Sequence, residues 1–233
     1  KFVNYWIHNG FVNIEKEKMS KSIGNILLIK DFLKDYHPEV LRLFFLSNHY
    51  RSPLDYNERA VQDAHSALQR LYHTLERVRD LTGNADGTPQ PLAEADDMDR
   101  AFQDAMDDDF NTALALSHVF DLLRTINRLI DEGGKENLPR ILYCSTILQQ
   151  MAGCLGFFRE GPEAFQAQER VRHLNRAGLT IEEVDRMVEA RVEARKAKDF
   201  KKADELRDLL LSKGIILLDS PKGTEWRIKS TAQ

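Results

Sequence analysis

Between Asn57 and Val78 the apolar residues Val61, Ala64, Leu68, Leu71, Leu75 and Val78 recur at alternating spacings of three and four. That rhythm puts them on one stripe of a long helix, and such a stripe is stable only when other elements cover it. The covering elements follow in the same register. A helix is expected around Met98, Phe102 and Met106. A second restarts after Asp109-Phe110-Asn111-Thr112 with Leu116, Phe120, Leu123 and Ile130 inward, and stops at Gly133-Gly134. A third runs from Pro139 to Leu155 with Ile141, Leu148 and Met151 inside. The segment from Gly83 to Pro91, rich in Gly, Pro, Asn and Asp, is expected as an exposed loop. The expectation is a mainly α chain whose centre is an antiparallel helix bundle over residues 36–160.

Both flanks of the bundle differ from it. In front, Phe11-Val12-Asn13-Ile14 alternates like a strand, and Asn9-Gly10 is a turn signal. Further on, Pro38 opens a helix whose buried face is expected to be Leu41, Phe44 and Phe45. Behind, the apolar period fades between Gly161 and Gly178, so residues 161–179 are expected to be a linker. A new module then fills 180–233. Thr180-Ile181-Glu182-Glu183 is a capping box, Asp199 caps a second helix that ends at Gly214, and two short apolar runs flank Ser220-Pro221-Lys222-Gly223 as a hairpin.

Charge is segregated within a net of -4. From Glu94 to Asp109 there are eight acidic residues against Arg100, whereas Arg186 to Lys213 carries nine bases. A phosphate backbone responds to the local field, and the field of the tail is positive. The 42% hydrophobic content can fill a core and the 30% charged content suits a water-exposed surface. No apolar run reaches membrane-spanning length, and no secretory leader pattern follows Lys1, so a cytoplasmic protein is expected. Cys144 and Cys154 lack metal-ligand or redox spacing and are expected to be reduced core thiols. The Met106 to Thr112 run, with three consecutive aspartates, lacks the alternate-residue spacing of a calcium loop and is expected to be an acidic helix end beside a cap.

The densest chemistry lies in Lys18-Met19-Ser20-Lys21-Ser22, followed by Ile23-Gly24-Asn25. Two ammonium groups on a short segment can follow negative charge as it builds on a departing pyrophosphate, while hydroxyls and amides add hydrogen bonds. This KMSKS-x-GN run resembles the second signature of the class I aminoacyl-tRNA synthetases. The resemblance implies an end of a class I catalytic domain over residues 1–35. ATP, as its Mg2+ complex, would meet Lys18, Met19, Ser20, Lys21 and Ser22, with Lys21 as the main catalytic contact and Lys18 assisting. The acidic turn is similar to turns in the DALR-type helical domains of the cysteine, methionine and arginine synthetases, which implies tRNA-stem binding by the bundle.

The tail narrows the resemblance. Ala194-Arg195-Lys196-x-Lys198-Asp199-Phe200-x-x-Ala203-Asp204, then Arg207-Asp208-x-Leu210, Gly214-Ile215, Leu218-Asp219 and Gly223-Thr224-x-Trp226 resembles the α+β anticodon-binding end of bacterial cysteinyl-tRNA synthetases. Carried onto these positions, Arg195, Asp204 and Asp219 would hydrogen-bond anticodon bases or riboses. Phe200 and Trp226 would either offer stacking faces or belong to the core. The resemblance further implies L-cysteine and tRNA(Cys) as partners and a monomer. It implies a Zn2+ site whose ligands, like the HIGH signature, lie outside this sequence, so these 233 residues alone are expected not to form adenylate. A tRNA-binding module without catalysis and a mycothiol-pathway cysteine ligase remain as alternatives, the second disfavoured by the tail.

Overall fold

Asn57 ends an extended segment, and its side-chain oxygen accepts a hydrogen bond from the Ala60 amide at 2.9 Å, starting helix α3 (Glu58–Thr82). The chain is described by a computed structural model that covers residues 1–14, 17–18, 27–83, 88–220 and 223–228. Within α3, Val61, Ala64, Leu68, Leu71 and Val78 are buried and Leu75 half-buried. Tyr72 and His65 are also buried and widen the apolar face. Helices α4 (Ala93–Asp107), α5 (Thr112–Glu132) and α6 (Leu138–Cys154) pack on one another, and α5 and α6 lie against α3. The buried residues of α5, among them Leu116, Val119, Leu122, Ile126 and Leu129, form the inner layer. Asn111 caps α5 by accepting from the Leu114 amide.

The bundle is bolted to what precedes it by Glu39. Helix α2 (Pro38–Leu46) begins after His37, whose Nδ1 accepts the Glu39 amide proton. The Glu39 side chain is 3% exposed and accepts three hydrogen bonds, from the Tyr72 hydroxyl at 3.1 Å and from the amides of Phe158 and Arg159 at 3.2 and 3.0 Å. Burial, and then the neighbouring Glu39, raise the Tyr72 phenol above its ordinary pKa, so it stays a donor. These bonds set the rotation of α2. Val40, Leu43 and Phe44 are buried, Leu41 is half-buried and Phe45 faces outward, which corrects the expected face of Leu41, Phe44 and Phe45.

In front of α2 lies a three-stranded sheet of order β2-β1-β3. Strand β1 (Val12–Ile14) pairs antiparallel with β2 (Glu17–Lys18) and parallel with β3 (Leu54–Tyr56), with Val12 opposite Leu54 and Ile14 opposite Tyr56. Strand β3 carries no sequence signature of its own.

A second unit contains residues 164–233 together with Lys30–Tyr36, the body of helix α1 (Ile29–Asp35). Residues 162–177 are helix α7 (Pro162–Ala177), not an irregular linker. Pro162 suits a first turn, and Phe165 and Leu174 supply a narrow buried face that three apolar contacts per two turns would have made obvious. Helix α8 (Ile181–Lys196) starts with the Thr180–Glu183 capping box, both halves of which are formed. Helix α9 (Phe200–Ser212) is capped by Asp199, which accepts from the Lys202 amide. Strands β4 (Ile215–Ser220) and β5 (Gly223–Ile228) pair antiparallel. Leu174, Val184, Val188, Leu210 and Ile215 form the core of this unit.

Cys144 is fully buried, and burial pushes its thiol up to about 11, so it is inert at neutral pH. Cys154 is free but exposed, which corrects its placement in the core. Among the described residues no helix is long and apolar enough to cross a membrane.

Candidate functional site

Two separate places carry the residues singled out in the sequence. In the first, Lys18 ends β2, its backbone opposite Asn13 of β1. Met19, Ser20, Lys21 and Ser22 lie outside the described residues, as do Gly24 and Asn25. The strand that presents Lys18 is gripped from the side. The Gly10 amide donates to the Tyr50 carbonyl at 2.7 Å, and a Cβ at Gly10 would overlap the Ser52 carbonyl, so the loop before β3 reaches this close only over a glycine. A half-open cavity of about 520 Å3 adjoins it, walled by Gly10, Val12, Phe45, Tyr50 and Phe110 among others.

The acidic turn meets that same loop. Asp109 accepts from Arg51 Nε at 2.6 Å and Nη2 at 3.0 Å, and from the Tyr50 hydroxyl at 2.6 Å. Arg51, then Tyr50, bring the Asp109 carboxyl down to about 2. The sequence shows an acidic helix end here, and Asn111 does cap α5. The engagement of Asp109 by Arg51 joins positions 58 residues apart and leaves no local signal.

The second place is on the C-terminal unit. Arg191 is 6% exposed and forms a fork with Asp219, Nη1 to Oδ1 and Nη2 to Oδ2, both at 3.0 Å. Arg195 Nη1 adds a bond to Asp219 Oδ2 at 2.8 Å, and the Thr224 hydroxyl donates to Oδ1 at 2.7 Å. The structure thus brings Arg195 and Asp219 into direct contact, with Asp219 held by four donors. Arg191, then Thr224, hold its carboxyl well below the usual carboxylate range. The sequence reading does not single out Arg191 or Thr224, which the structure places on Asp219. The spacing of four between Arg191 and Arg195, one face of a helix, is the signal that finds the first of them.

The remaining predicted residues divide. Phe200, the first residue of α9, is 62% exposed, with Lys198, Lys201 and Lys202 exposed beside it in sequence. Asp204 is exposed and lies 3.4 Å from Arg207. Trp226 is half-buried against the core, its indole nitrogen donating to Asp185 at 2.7 Å and its ring under Arg170 at 5.0 Å. Phe200 therefore offers a free aromatic face beside cations, whereas Trp226 has its face and its donor already engaged. Among the described residues no group of three His, Cys, Asp or Glu is placed to hold a metal ion.

The pairing of Asp219 has a pH signature. Its folded pKa is depressed, so it adds stability at pH above the ordinary carboxylate value of about 4, and that addition is lost as pH falls below it. Trp226 fluorescence, in a Trp6→Phe background, should report a C-terminal unit whose stability drops between pH 4 and pH 2. In Asp219→Asn that drop should be smaller.

Comparison with known proteins places a family on each region. Residues 1–66 match the tRNA synthetases class I (C) catalytic domain, 101–159 the DALR domain, and 176–227 the cysteinyl-tRNA ligase anticodon binding domain. Among curated relatives, the cysteine-tRNA ligase of Geobacter metallireducens is 46% identical over 98% of this chain and 49% of the relative. That of Geotalea daltonii is 42% identical over 98% of this chain and 50% of the relative. That of Syntrophotalea carbinolica is 44% identical over 98% and 48% respectively. The chain spans about half the length of the curated relatives it matches.

Proposed function

From a chain that corresponds to the C-terminal portion of class I cysteinyl-tRNA synthetases, we propose that it supplies the KMSKS segment and the tRNA-recognising part of an enzyme that activates L-cysteine with ATP and transfers it to tRNA(Cys). In the first step a carboxylate oxygen of cysteine attacks the α-phosphorus of ATP, and the bond to the pyrophosphate oxygen breaks. The protein's work there is positioning and charge stabilisation. Lys21, assisted by Lys18, meets the charge that grows on pyrophosphate, and Ser20, Ser22 and the backbone at Met19 add hydrogen bonds. Mg2+ travels with ATP and neutralises part of its charge. The Zn2+ implied by the family is proposed to have its ligands outside these 233 residues, since among the described ones no group of three His, Cys, Asp or Glu is placed to hold it.

The second step needs the right RNA. Arg195, half exposed and with guanidinium donors beyond the one given to Asp219, is suited to base or ribose edges, while Asp219, which already accepts four bonds, fixes its direction and meets the RNA only by exchanging one of them. Phe200 stacks on an unpaired base, Asp204 hydrogen-bonds the same strand, and Trp226 supports the hairpin from beneath. The observation that carries this reading is the coincidence of the anticodon-binding family match over 176–227 with the Arg191–Asp219–Arg195 cluster. An anticodon module also favours an RNA acceptor over the amino sugar of the mycothiol ligases. The protein is proposed to act as a monomer in the cytoplasm.

Cysteine-dependent ATP–pyrophosphate exchange by the full-length protein, followed by charging of tRNA(Cys), tests the proposal. Exchange with cysteine and none with serine is the expected result. Absence of cysteine-dependent exchange would refute it.

A further inference from the structure

The turn between α4 and α5 is built against its own backbone preferences. Asp109 and Phe110 both have positive φ, 54° and 53°, and neither is glycine. Residues in this region are strained and persist only where the surrounding structure over-determines them. The turn is held by hydrogen bonds from the Asn111 amide to the Ala105 carbonyl and from the Thr112 amide to the Phe110 carbonyl. What the conformation achieves is direction, since it delivers the Asp109 carboxylate to Arg51 and Tyr50. As a stability device this makes little sense. Arg51 and Asp109 are 61% and 42% exposed, and ion pairs this open to water contribute little to stability.

The contacts beyond Arg51 suggest a different return. Arg51 lies over the Tyr50 ring at 5.1 Å, and His49 stacks on the same ring at 4.9 Å, so the loop that Asp109 grips has contacts of its own. The Tyr50 carbonyl receives the Gly10 amide, and three residues after Gly10, Asn13 sits between Asp55 of β3 and Lys18 of β2. An unbroken run of bonds therefore leads from the helical domain to the backbone of Lys18. From this we infer that Asp109, acting through Arg51 and Tyr50, is a positioning residue. It fixes β1 and β2, the strand pair that leads into the KMSKS run at Lys18. The helical domain thereby sets the rate of adenylate formation without touching substrate. The inference rests on the proposed role of Lys18 and Lys21 in ATP chemistry.

The test uses the full-length protein with Asp109→Asn, Arg51→Gln and the double variant, and reads exchange kcat, KM for ATP, melting midpoint and tRNA Kd. Displacement of a reacting group by about 1 Å can lower rates up to 100-fold. Each single variant should lower kcat about tenfold, with tRNA Kd within twofold and the melting midpoint nearly unchanged. The double variant should be no worse than either single, because both break one device. Asp109→Glu should recover part of the rate. Unchanged kcat in both singles, additive losses in the double, or a loss that merely tracks the melting midpoint would overturn the inference and leave the proposed function standing. A wild-type protein without cysteine-dependent exchange would overturn both.

Discussion

Replacing Lys21 by alanine in the full-length protein is expected to lower kcat for cysteine-dependent ATP–pyrophosphate exchange about 100-fold while leaving the Kd for tRNA(Cys) within twofold. Removal of one preorganised donor aimed at developing charge typically costs a factor of about 100 to 1000. The lower end is expected here because Lys18 carries part of the same load. Little change should appear in KM for ATP, since the ammonium group acts most strongly once charge has built on the leaving oxygen. Binding of tRNA should survive because the residues proposed to read it, Arg195, Phe200, Asp204 and Asp219, belong to a different unit of the chain. Equal losses in exchange and in tRNA affinity would contradict that division of labour.

Glu39→Ala is the second large effect, and it falls on stability. The substitution leaves the Tyr72 hydroxyl and the Phe158 and Arg159 amides without the carboxylate that now accepts from all three. A buried donor deprived of its acceptor costs about 1–3 kcal/mol. The two amides are only partly buried and water can replace some of what they lose, so the expected loss is about 3 kcal/mol rather than the sum. Tyr72→Phe removes a single donor and leaves the carboxylate two others, so about 1 kcal/mol is expected. Chemical denaturation of the wild type and the two variants checks the order. A Glu39→Ala loss no larger than that of Tyr72→Phe would show that Glu39 does not bolt α2 to the segment after α6.

What was legible in the sequence was whatever depends on neighbours along the chain. The caps at Asn57, Thr180 and Asp199 form as their chemistry requires, because a side chain and an amide three residues apart need no tertiary help. The α3 stripe was legible because six spaced positions outweigh any one exception. Helix α7 was not, because its buried face is little more than Phe165 and Leu174 in a run of Gln, Arg and Glu. The rotation of α2 escaped for another reason. Phe45 is as apolar as Phe44, and the buried stripe of Val40, Leu43 and Phe44 goes with the rotation in which Glu39 accepts from Tyr72, Phe158 and Arg159. In the candidate sites, Arg195 and Asp219 came from the resemblance, but their contact with each other and with Arg191 is tertiary. The Asp109–Arg51 pair likewise joins two turns that no periodicity relates.

The most direct measurement is filter binding of the full-length protein, at one fixed salt concentration, to tRNA(Cys) and to the same tRNA with its anticodon replaced. Stacking and edge contacts are worth about 1–3 kcal/mol per base, so a Kd at least tenfold weaker for the altered tRNA is expected, with most of the difference lost in Phe200→Ala. Equal Kd values for the two tRNAs would contradict the account.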